Sequence, residues 1–361
     1  MLRIAIACAK SGHNVTIFTS IWEGPMDDTL KVEIVDFGAF SNHRTIKNIE
    51  RFVQSLQKKK DFDCITGFNR VGGLDVYFGG DPCLKAKLRQ KKRYWLRFLP
   101  RYRTYLQMEA TVFSSHSNTD ILLISPSELA NIRDLYETDI AKIHVLPPGI
   151  DRERITGNLL DNEERQSFRR DLGVAENELM ILSIGSGFHT KGVDRSITAI
   201  SALPKQLKKS CKYIVVGIGK ERTFQNIADL AGIGSQIVFT GGRTDVGHFY
   251  YAADLLLHPA RTEAAGHTLL EAMMTGLPVL ATENCGYAHH VEKAKGGRLC
   301  PEPFGQLKLN KILKEILTYK QDLIQYGKNG LNYCETTDIY SMIEKAVEVI
   351  LNRAQKNRVC T

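Results

Sequence analysis

Short apolar runs alternate with amphipathic helical segments along almost the whole chain, and this alternation restricts the fold more than any other feature. In the first half the runs include "NVTIFT", "KVEIVDF", "DCITGF", "LDVYF" and "DILLIS". After "LPPGID" the rhythm starts again with "ELMILSIG", "KYIVVGIG", "QIVFTGG", "ADLLLHPA" and "LPVLATE". Two successive series of strand and helix predict two doubly wound α/β domains, each with a parallel sheet.

The joint between the two series lies near residue 150, where two prolines and a glycine interrupt both periodicities. The sequence therefore predicts an N-terminal domain over 1–150 and a C-terminal domain over 151–335. The pattern of "TTDIYSMIEKAVEVILNRAQ" predicts one final amphipathic helix over 336–361 that packs back on the N-terminal domain. Because ligands of such sheets bind beyond the carboxyl ends of the strands, the loops there are expected to face one cleft.

Positive charge is concentrated in one segment. The chain has 48 Lys and Arg against 40 Asp and Glu, and nine of the basic residues lie between Lys85 and Tyr105 with no acidic residue among them. The rest of the chain is close to neutral. A nucleic-acid binder usually spreads its basic face over a domain, whereas one basic segment with interleaved aromatic residues is typical of a membrane or partner surface. Nucleic acid is therefore not favoured as a partner.

The cysteines and the apolar runs favour a cytosolic protein. Eight cysteines are scattered without a C-x-x-C pair or zinc spacing, which is typical of a reducing compartment. No apolar run approaches the ~20 residues of a membrane span. The start, "MLRIAIACAKSG", has an apolar run shorter than the roughly 7–15 residues of a signal peptide, so it predicts a helix.

The densest candidate site is "HPARTEAAGHTLLEAMMTGLPVLAT". A strand ends at His258, a short loop carries Glu263, and a helix begins near Gly266 with Glu271 on it. Free backbone N–H groups at a helix start, next to a glycine, favour phosphate binding. Two carboxylates beside a phosphate suit the hydroxyl groups of a sugar and a ribose. The alternative is a pair of solvated glutamates on an ordinary strand, loop and helix.

A second candidate site is "ILSIGSGFHTKGVDRS". A buried strand ends at Gly185, and Lys191 stands at the start of the next helix, where a lysine reaches a pyrophosphate from the other side. The alternative is a solvated lysine at a helix start. Arg152 and Arg154, just past the joint, offer further phosphate contacts. The stretch "VVGIGK" lacks the third glycine of a dinucleotide fingerprint, so NAD is not favoured.

These residues resemble a known family. "EAAGHTLLEA" is similar to the E-x7-E motif of retaining GT-B glycosyltransferases of the sucrose-synthase-like family. "GFNRVGGLDVYFGGD", "RYRTY", "LPPGI", "KGVDRSI" and "CGYAHH" resemble its lipopolysaccharide core glucosyltransferases, which glucosylate heptose, and the similarity runs along nearly the whole chain. The resemblance implies a GT-B fold and transfer of glucose, or a similar hexose, from UDP-glucose to a heptose of the lipid-linked core, with no cofactor.

The resemblance also implies residue roles. Glu271 would hold the ribose hydroxyls, Glu263 would hold the donor sugar's hydroxyls, and Lys191 would neutralise the departing diphosphate. Arg243 falls near the base pocket, and Asp81 falls on the acceptor side. The implied donor-binding residues are Arg154, Gly185, Lys191, Arg243, Glu263, Ala265, Gly266, His267, Thr268 and Glu271, and the implied catalytic residues are Lys191, Glu263 and Asp81.

No metal is implied. "DFD" at Asp61–Asp63 matches the D-x-D pattern of metal-dependent glycosyltransferases, but it precedes a strand instead of following one. The sequence departs from the family at Ser186 and Thr190, where relatives carry arginine. It also begins inside the family's first helix, so the first strand and its glycine-rich loop are expected to be missing. The alternative function is therefore a catalytically impaired membrane-docking or scaffold protein.

The acceptor that the resemblance implies is anchored in a membrane, which gives the basic segment a role. An insert over 84–113 would hold the protein at an anionic surface, as a peripheral protein on the inner face of the inner membrane. The expected membrane-binding residues are Lys91, Lys92, Arg93, Trp95, Arg97, Arg101 and Arg103.

Overall fold

The chain divides into two compact units. In the computed structural model, residues 1–90, 93–156 and 159–359 are described. Unit 1 comprises Met1–Gly149 together with Ser341–Thr361, and unit 2 comprises Ile150–Tyr340.

The elements of unit 1 follow the predicted alternation up to residue 149. Short 3-10 turns at Tyr94–Phe98, Pro126–Glu128 and Ile140–Lys142 connect some of them. In chain order the elements are α1 (Leu2–Lys10), β1 (Val15–Thr19), β2 (Leu30–Ile34), α2 (Asn42–Lys59), β3 (Thr66–Gly67), β4 (Val76–Gly79), α3 (Leu84–Gln90), α4 (Pro100–Phe113), β5 (Asp120–Leu123), α5 (Leu129–Tyr136) and β6 (Ile143–Val145).

The strands of unit 1 lie in two parallel sheets. One has the order β3-β4-β5-β6, and the other is the pair β1-β2. Successive side chains of a strand point to opposite faces. Tyr77 and Ile121 therefore enter an apolar cluster with α2, α4 and α5, whereas their neighbours Val76 and Leu122 enter a second cluster on the other face with α1. The predicted loss of an initial strand stays a prediction.

Unit 2 repeats the alternation at greater length. A 3-10 turn at Gly234–Gln236 precedes its third strand. The elements are α6 (Arg152–Thr156), α7 (Asn162–Asp171), β7 (Leu179–Ile184), α8 (Phe188–Lys191), α9 (Val193–Ser201), α10 (Lys205–Lys209), β8 (Cys211–Val216), α11 (Glu221–Leu230), β9 (Ile237–Phe239), α12 (Val246–Ala252), β10 (Leu255–His258), α13 (His267–Met274), β11 (Val279–Thr282), α14 (Ala288–Ala294), β12 (Gly297–Cys300), α15 (Gln306–Thr318) and α16 (Lys320–Thr336).

The sheet of unit 2 has the order β12-β11-β10-β7-β8-β9, and all its strand pairs are parallel. The apolar runs "LMILSI" and "LLLH" are buried along their full length, as expected for strands covered on both faces. The chain leaves β7 toward β8, and β10 lies on the other side of β7. The strand order therefore reverses between β7 and β10, and this switch point is where such folds bind ligands.

The last helix, α17 (Met342–Val359), belongs to unit 1. Its residues Ala346, Val347 and Ile350 share the apolar cluster of α1. The predicted start of this helix near residue 336 is wrong, because α16 ends at Thr336 and a short non-helical segment separates it from Met342. In that segment the carbonyl of Ile339 accepts a hydrogen bond from the backbone N–H of Ile150 at 3.1 Å, a partner far away in the sequence.

Candidate active site

Two glycines shape the loop that follows β7. Gly185 has φ 138°, and a Cβ there would lie 2.8 Å from Cε of Lys191. The positive φ favours glycine at this position, and the Lys191 side chain passes over Gly185 in the space that a Cβ would occupy. Gly192 has φ 76°, and a Cβ there would lie 2.1 Å from the Pro259 carbonyl oxygen. This close approach fixes the chain beside Lys191 against the end of β10.

Lys191 and Glu263 meet at the switch point. The Lys191 ammonium forms an ion pair with Oε2 of Glu263. Nε2 of His258, at the end of β10, lies 3.4 Å from the same oxygen. Burial by itself would raise the pKa of Glu263, but His258 and Lys191 outweigh it and lower this pKa to about 2. Glu263 is therefore a fully ionised carboxylate.

Backbone hydrogen bonds hold the loop that carries Glu263. The N–H of Gly286 donates to the Glu263 carbonyl at 3.0 Å, and the N–H of Tyr287 donates to the Ala265 carbonyl at 2.7 Å. Both donors belong to the segment between β11 and α14. The loop is thus tied to the neighbouring strand, and this fixes the direction in which the Glu263 side chain projects.

The start of α13 offers unpaired amides to an anion. Gly266, with φ 102°, is the N-cap residue, and since glycine has no side chain it supplies no capping group. The amides of His267 and Thr268 lie in the first turn, where helical N–H groups have no partner within the helix. His267 is exposed and packs its ring against Tyr287 at 5.4 Å between centroids. Desolvation lowers the pKa of His267, which favours a neutral imidazole.

Glu271 lies one turn further along α13, and only 6% of it is exposed. The Tyr250 hydroxyl on α12 donates a hydrogen bond of 2.7 Å to its Oε2. Nη1 of Arg154, on α6, lies 3.6 Å from its Oε1. The structure thus brings Arg154 and Glu271 together, beside the helix start, and adds Tyr250 to them.

Arg243 follows β9, two strands away from β7 in the sheet. Its guanidinium makes a two-pronged contact with Asp245, with Nε and Nη2 2.9 and 2.7 Å from the carboxylate oxygens. It also lies 5.7 Å from the centre of the Phe249 ring. Arg243 is therefore at the same edge of the sheet as Lys191, but its charge is already paired locally.

Asp81 lies in unit 1, just after β4, where its side chain is exposed. Its backbone carbonyl accepts a hydrogen bond of 2.8 Å from Arg70. Arg70 also donates to the Tyr77 hydroxyl at 3.1 Å and pairs with Glu109, whose side chain is completely buried. The loop of Asp81 is therefore held by an ion pair whose carboxylate is fully buried and whose guanidinium is 14% exposed.

Glu109 also caps the next helix. Its carboxylate accepts the backbone N–H groups of Leu84 and Lys85, at 2.7 and 3.0 Å, at the start of α3. The Tyr136 hydroxyl donates a further hydrogen bond of 2.6 Å. A carboxylate at a helix N-terminus pairs with the positive end of the helix dipole. Glu109 thus links Arg70, α3 and α5 in one network.

The basic segment continues as a 3-10 turn and the start of α4. Arg93, Arg97, Arg101 and Arg103 are exposed. Trp95 is 62% exposed and Phe98 is 74% exposed. Lys91 and Lys92 lie outside the described residues. Among the helices that the structure describes, none has the length and apolar character that crossing a membrane requires.

The D-x-D stretch has a structural partner. Asp63 pairs with Arg358 of α17 at 2.6 Å. Within the described ranges, no three His, Cys, Asp or Glu side chains are grouped closely enough to bind a metal ion.

Sequence reasoning missed four residues of these sites: His258, Tyr250, Arg70 and Glu109. His258 was visible as a polar residue at the end of an apolar strand. Tyr250, Arg70 and Glu109 gave no signal, because each meets its partner only through the tertiary fold.

The doubly wound unit thus presents a cation, two carboxylates and a helix start at its switch point, a combination that suits a ligand with phosphate groups and sugar hydroxyls and agrees with the glycosyltransferase class that the resemblance implies. The comparisons agree with this class. The model of the family "Glycosyl transferases group 1" matches residues 164–332. The chain is 38% identical over 349 residues to the lipopolysaccharide glucosyltransferase WaaG of Escherichia coli (strain K12), covering 97% of this chain and 93% of WaaG. The chain therefore belongs to the glycosyl transferases group 1 family.

Solved structures give the same result for the fold. A crystal structure of WaaG, described as a glycosyltransferase involved in lipopolysaccharide biosynthesis, matches with a TM-score of 0.87 over 97% of this chain and 94% of that one. Anabaena HepE, solved in complex with UDP and glucose, matches with a TM-score of 0.69 over 94% of this chain and 100% of that one, at 17% identity. The second match concerns the fold alone. The predicted GT-B fold is confirmed, and the protein is a glycosyltransferase.

Proposed function

We propose that this enzyme transfers glucose, or a similar hexose, from UDP-glucose to a heptose of the lipopolysaccharide core, with retention of the anomeric configuration and without a metal ion. The observation that carries the proposal is the 38% identity to WaaG, which extends over 97% of this chain. The arrangement of charges at the switch point of unit 2 supports it.

In this proposal Lys191 stabilises the leaving group. Breaking the bond between the sugar and the diphosphate leaves negative charge on the phosphate oxygens. The Lys191 ammonium and the free amides of His267 and Thr268 supply positive charge beside that position. These groups perform the task that a divalent cation performs in metal-dependent transferases, and this is the chemical reason for a metal-independent reaction.

The two glutamates recognise the two sugars of the donor. Glu271 lies on the helix that starts the phosphate site, so it is placed to accept the ribose hydroxyls. Glu263 lies in the loop before that helix, so it is placed to accept hydroxyls of the transferred hexose. Arg154, near Glu271, adds a second cation for the diphosphate. The HepE complex demonstrates that a protein of this fold holds UDP and glucose.

Unit 1 serves the acceptor in this proposal. Asp81 lies after β4, at the carboxyl edge of its sheet, and the Arg70–Glu109 pair fixes its loop. The exposed arginines and aromatic residues of the basic segment would hold the enzyme on the cytoplasmic face of the inner membrane, where a lipid-linked core is available. Each basic residue near an anionic leaflet contributes about 1 kcal/mol.

The test is a donor and linkage assay. The enzyme is incubated with a heptose-ended core and UDP-glucose, UDP-galactose or UDP-N-acetylglucosamine in turn, with and without a chelator. We expect UDP-glucose to be preferred, the chelator to have no effect, and NMR of the product to show the anomeric configuration of the donor. Inversion, or loss of turnover with the chelator, would refute the corresponding part of the proposal. A folded protein that binds vesicles but transfers no sugar would support the scaffold function instead.

A further inference from the structure

The Lys191 ammonium has two possible partners in this site, the Glu263 carboxylate and the donor diphosphate. In the structure Lys191 pairs with Glu263, whereas the proposed function, on which this inference rests, assigns Lys191 to the donor diphosphate. When Lys191 turns to the phosphates, Glu263 loses this partner. Its side chain is only 17% exposed, so water replaces the lost cation only in part. A largely buried carboxylate with too few partners is unfavourable, so a second donor stabilises Glu263 wherever no hexose hydroxyl reaches it, as with UDP alone.

His258 is the side chain in position to be that donor. It is 1% exposed, and among the described residues neither of its ring nitrogens has a hydrogen-bond partner. Nε2 lies 3.4 Å from Oε2 of Glu263, the oxygen that Lys191 contacts, which is close enough to lower the pKa of Glu263, but it is too poorly aligned for a normal hydrogen bond. Buried polar groups in proteins are nearly always hydrogen-bonded, so an imidazole left unpaired beside a carboxylate requires an explanation.

The backbone around the two residues is fixed, so that only side chains have to move. The N–H of Ala260 donates to the His258 carbonyl at 2.9 Å, and the Glu263 carbonyl accepts from Gly286 at 3.0 Å. A shift of a few tenths of an ångström brings Nε2 and Oε2 within the usual range of about 2.7–3.2 Å. The release of Oε2 by Lys191 permits this shift.

We infer that His258 is a positioning residue. It replaces Lys191 as the hydrogen-bond donor to the Glu263 carboxylate when Lys191 binds the donor diphosphate. The imidazole carries its proton on Nε2 and donates it as a hydrogen bond to Oε2, and no proton is transferred. Glu263 then stays ionised and oriented toward the hexose while Lys191 is free for the leaving group. This exchange of partners allows Glu263 to contact the hexose while Lys191 contacts the diphosphate in the same site.

The first test measures binding of UDP by calorimetry. His258→Leu should weaken UDP binding roughly tenfold or more, because recruiting Lys191 then leaves Glu263 unpaired. His258→Gln, which retains an N–H donor, should recover part of the affinity. In a Glu263→Gln background, where no charge needs a partner, His258→Leu should change the affinity less than about twofold. His144→Leu is the matched control, because it removes the contact of 3.2 Å between His144 and Asp120 in unit 1.

Equal weakening in both backgrounds would mean that His258 acts only through packing, and it would overturn the inference. Unchanged UDP affinity of His258→Leu would overturn it as well. If His258→Leu does not fold, the UDP affinity of His258→Gln is compared in the wild-type and Glu263→Gln backgrounds instead. Weakening in the wild-type background alone supports the inference, equal weakening overturns it, and the expected effect is smaller.

The second test needs no substitution at His258, and its first part needs no ligand. In ¹⁵N-histidine-labelled protein, Lys191→Ala should shift the Nε2 resonance of His258 to that of a hydrogen-bonded donor without UDP. In the wild type, the same shift should appear when UDP is added. Absence of the shift in Lys191→Ala would refute the inference itself. A shift in Lys191→Ala, with no UDP binding by the wild type, would refute the proposed function and leave the His258–Glu263 contact established.

Discussion

Glu263 and Glu271 differ in the side chains that hold them, and at the scale of the residue this predicts different effects of the same substitution. Glu271 is held by Tyr250 and Arg154, whereas Glu263 is held by Lys191. Glu271→Gln should weaken binding of UDP by about 1–3 kcal/mol, because a hydrogen bond to a charged acceptor becomes a neutral one. Glu263→Gln should weaken UDP-glucose more than UDP.

Calorimetric titration with UDP and with UDP-glucose measures both effects. Glu292→Gln, an exposed glutamate on α14, is the control and should bind both ligands as the wild type does. The opposite pattern of losses would show that the roles of the two glutamates are reversed.

The pKa of Glu263 predicts how the stability of the protein depends on pH. This pKa is about 2 in the folded state, against an ordinary value of 4.5. A carboxyl whose pKa is lowered on folding stabilises the protein above its unfolded pKa, and this stabilisation is lost as the pH falls through the folded pKa. The wild type should therefore be more stable than Glu263→Gln near neutral pH, and this difference should shrink between about pH 4.5 and pH 2.

Urea unfolding of both proteins near neutral pH and at about pH 3 measures the difference in free energy of unfolding. A difference that stays constant over this range would contradict the assignment of the charge to Glu263.

At the scale of the element, Glu109 connects β4, α3 and α5 of unit 1. Glu109→Gln removes the charge that balances buried Arg70 and one acceptor at the start of α3. We expect a loss of about 3–5 kcal/mol in the stability of unit 1, because breaking a buried ion pair leaves an uncompensated charge. Thermal or denaturant unfolding checks this value. The control is Asp134→Asn, which breaks an exposed ion pair with Arg133 and should cost less than about 1 kcal/mol. Equal stability of the two variants would contradict the claim that the hydrogen bonds and the ion pair of Glu109 stabilise unit 1.

The basic segment is a surface element, and its charge is expected to act on binding without affecting the donor site. Replacing Arg93, Arg97, Arg101 and Arg103 with Gln should release the protein from anionic vesicles and leave UDP binding unchanged. Vesicle sedimentation at rising salt measures this, because salt screens surface charges. The matched control replaces four exposed basic residues of α2, namely Arg44, Lys47, Arg51 and Lys58, and should still bind vesicles. If both variants are released from the vesicles, binding depends on the net charge of the protein and not on the basic segment.

At the scale of the whole molecule, the alternation of apolar runs was sufficient to predict two α/β units with parallel sheets, but not that unit 1 has two separate sheets. The runs "ELMILSIG" and "ADLLLHPA" became β7 and β10, and the reversal of strand order between them placed Lys191 beside Glu263. The hydrophobic periodicity of a segment indicates whether it is buried, but it depends only on residues that are close together in the sequence. The same pattern extended the last helix too far, because the hydrogen bond between Ile150 and Ile339 joins residues far apart in the chain.

The parts of the site that the sequence left out are long-range pairings. Tyr250 reaches Glu271 across 21 residues, and Arg70 reaches Glu109 across 39. No local pattern encodes such a contact, because it depends on how helices pack on the sheet. His258 is different, since a polar residue at the end of an apolar strand is a local signal, and its partner Glu263 lies in the following loop.

The central claim is transfer of glucose to a heptose-ended core, and mass spectrometry of that core after incubation with UDP-glucose tests it most directly. The account predicts one added hexose per acceptor with the wild type, and a rate lower by on the order of 10²–10³ with Lys191→Ala, because the leaving group loses its cation. A core of unchanged mass with folded wild-type protein, or equal rates for the wild type and Lys191→Ala, would contradict it.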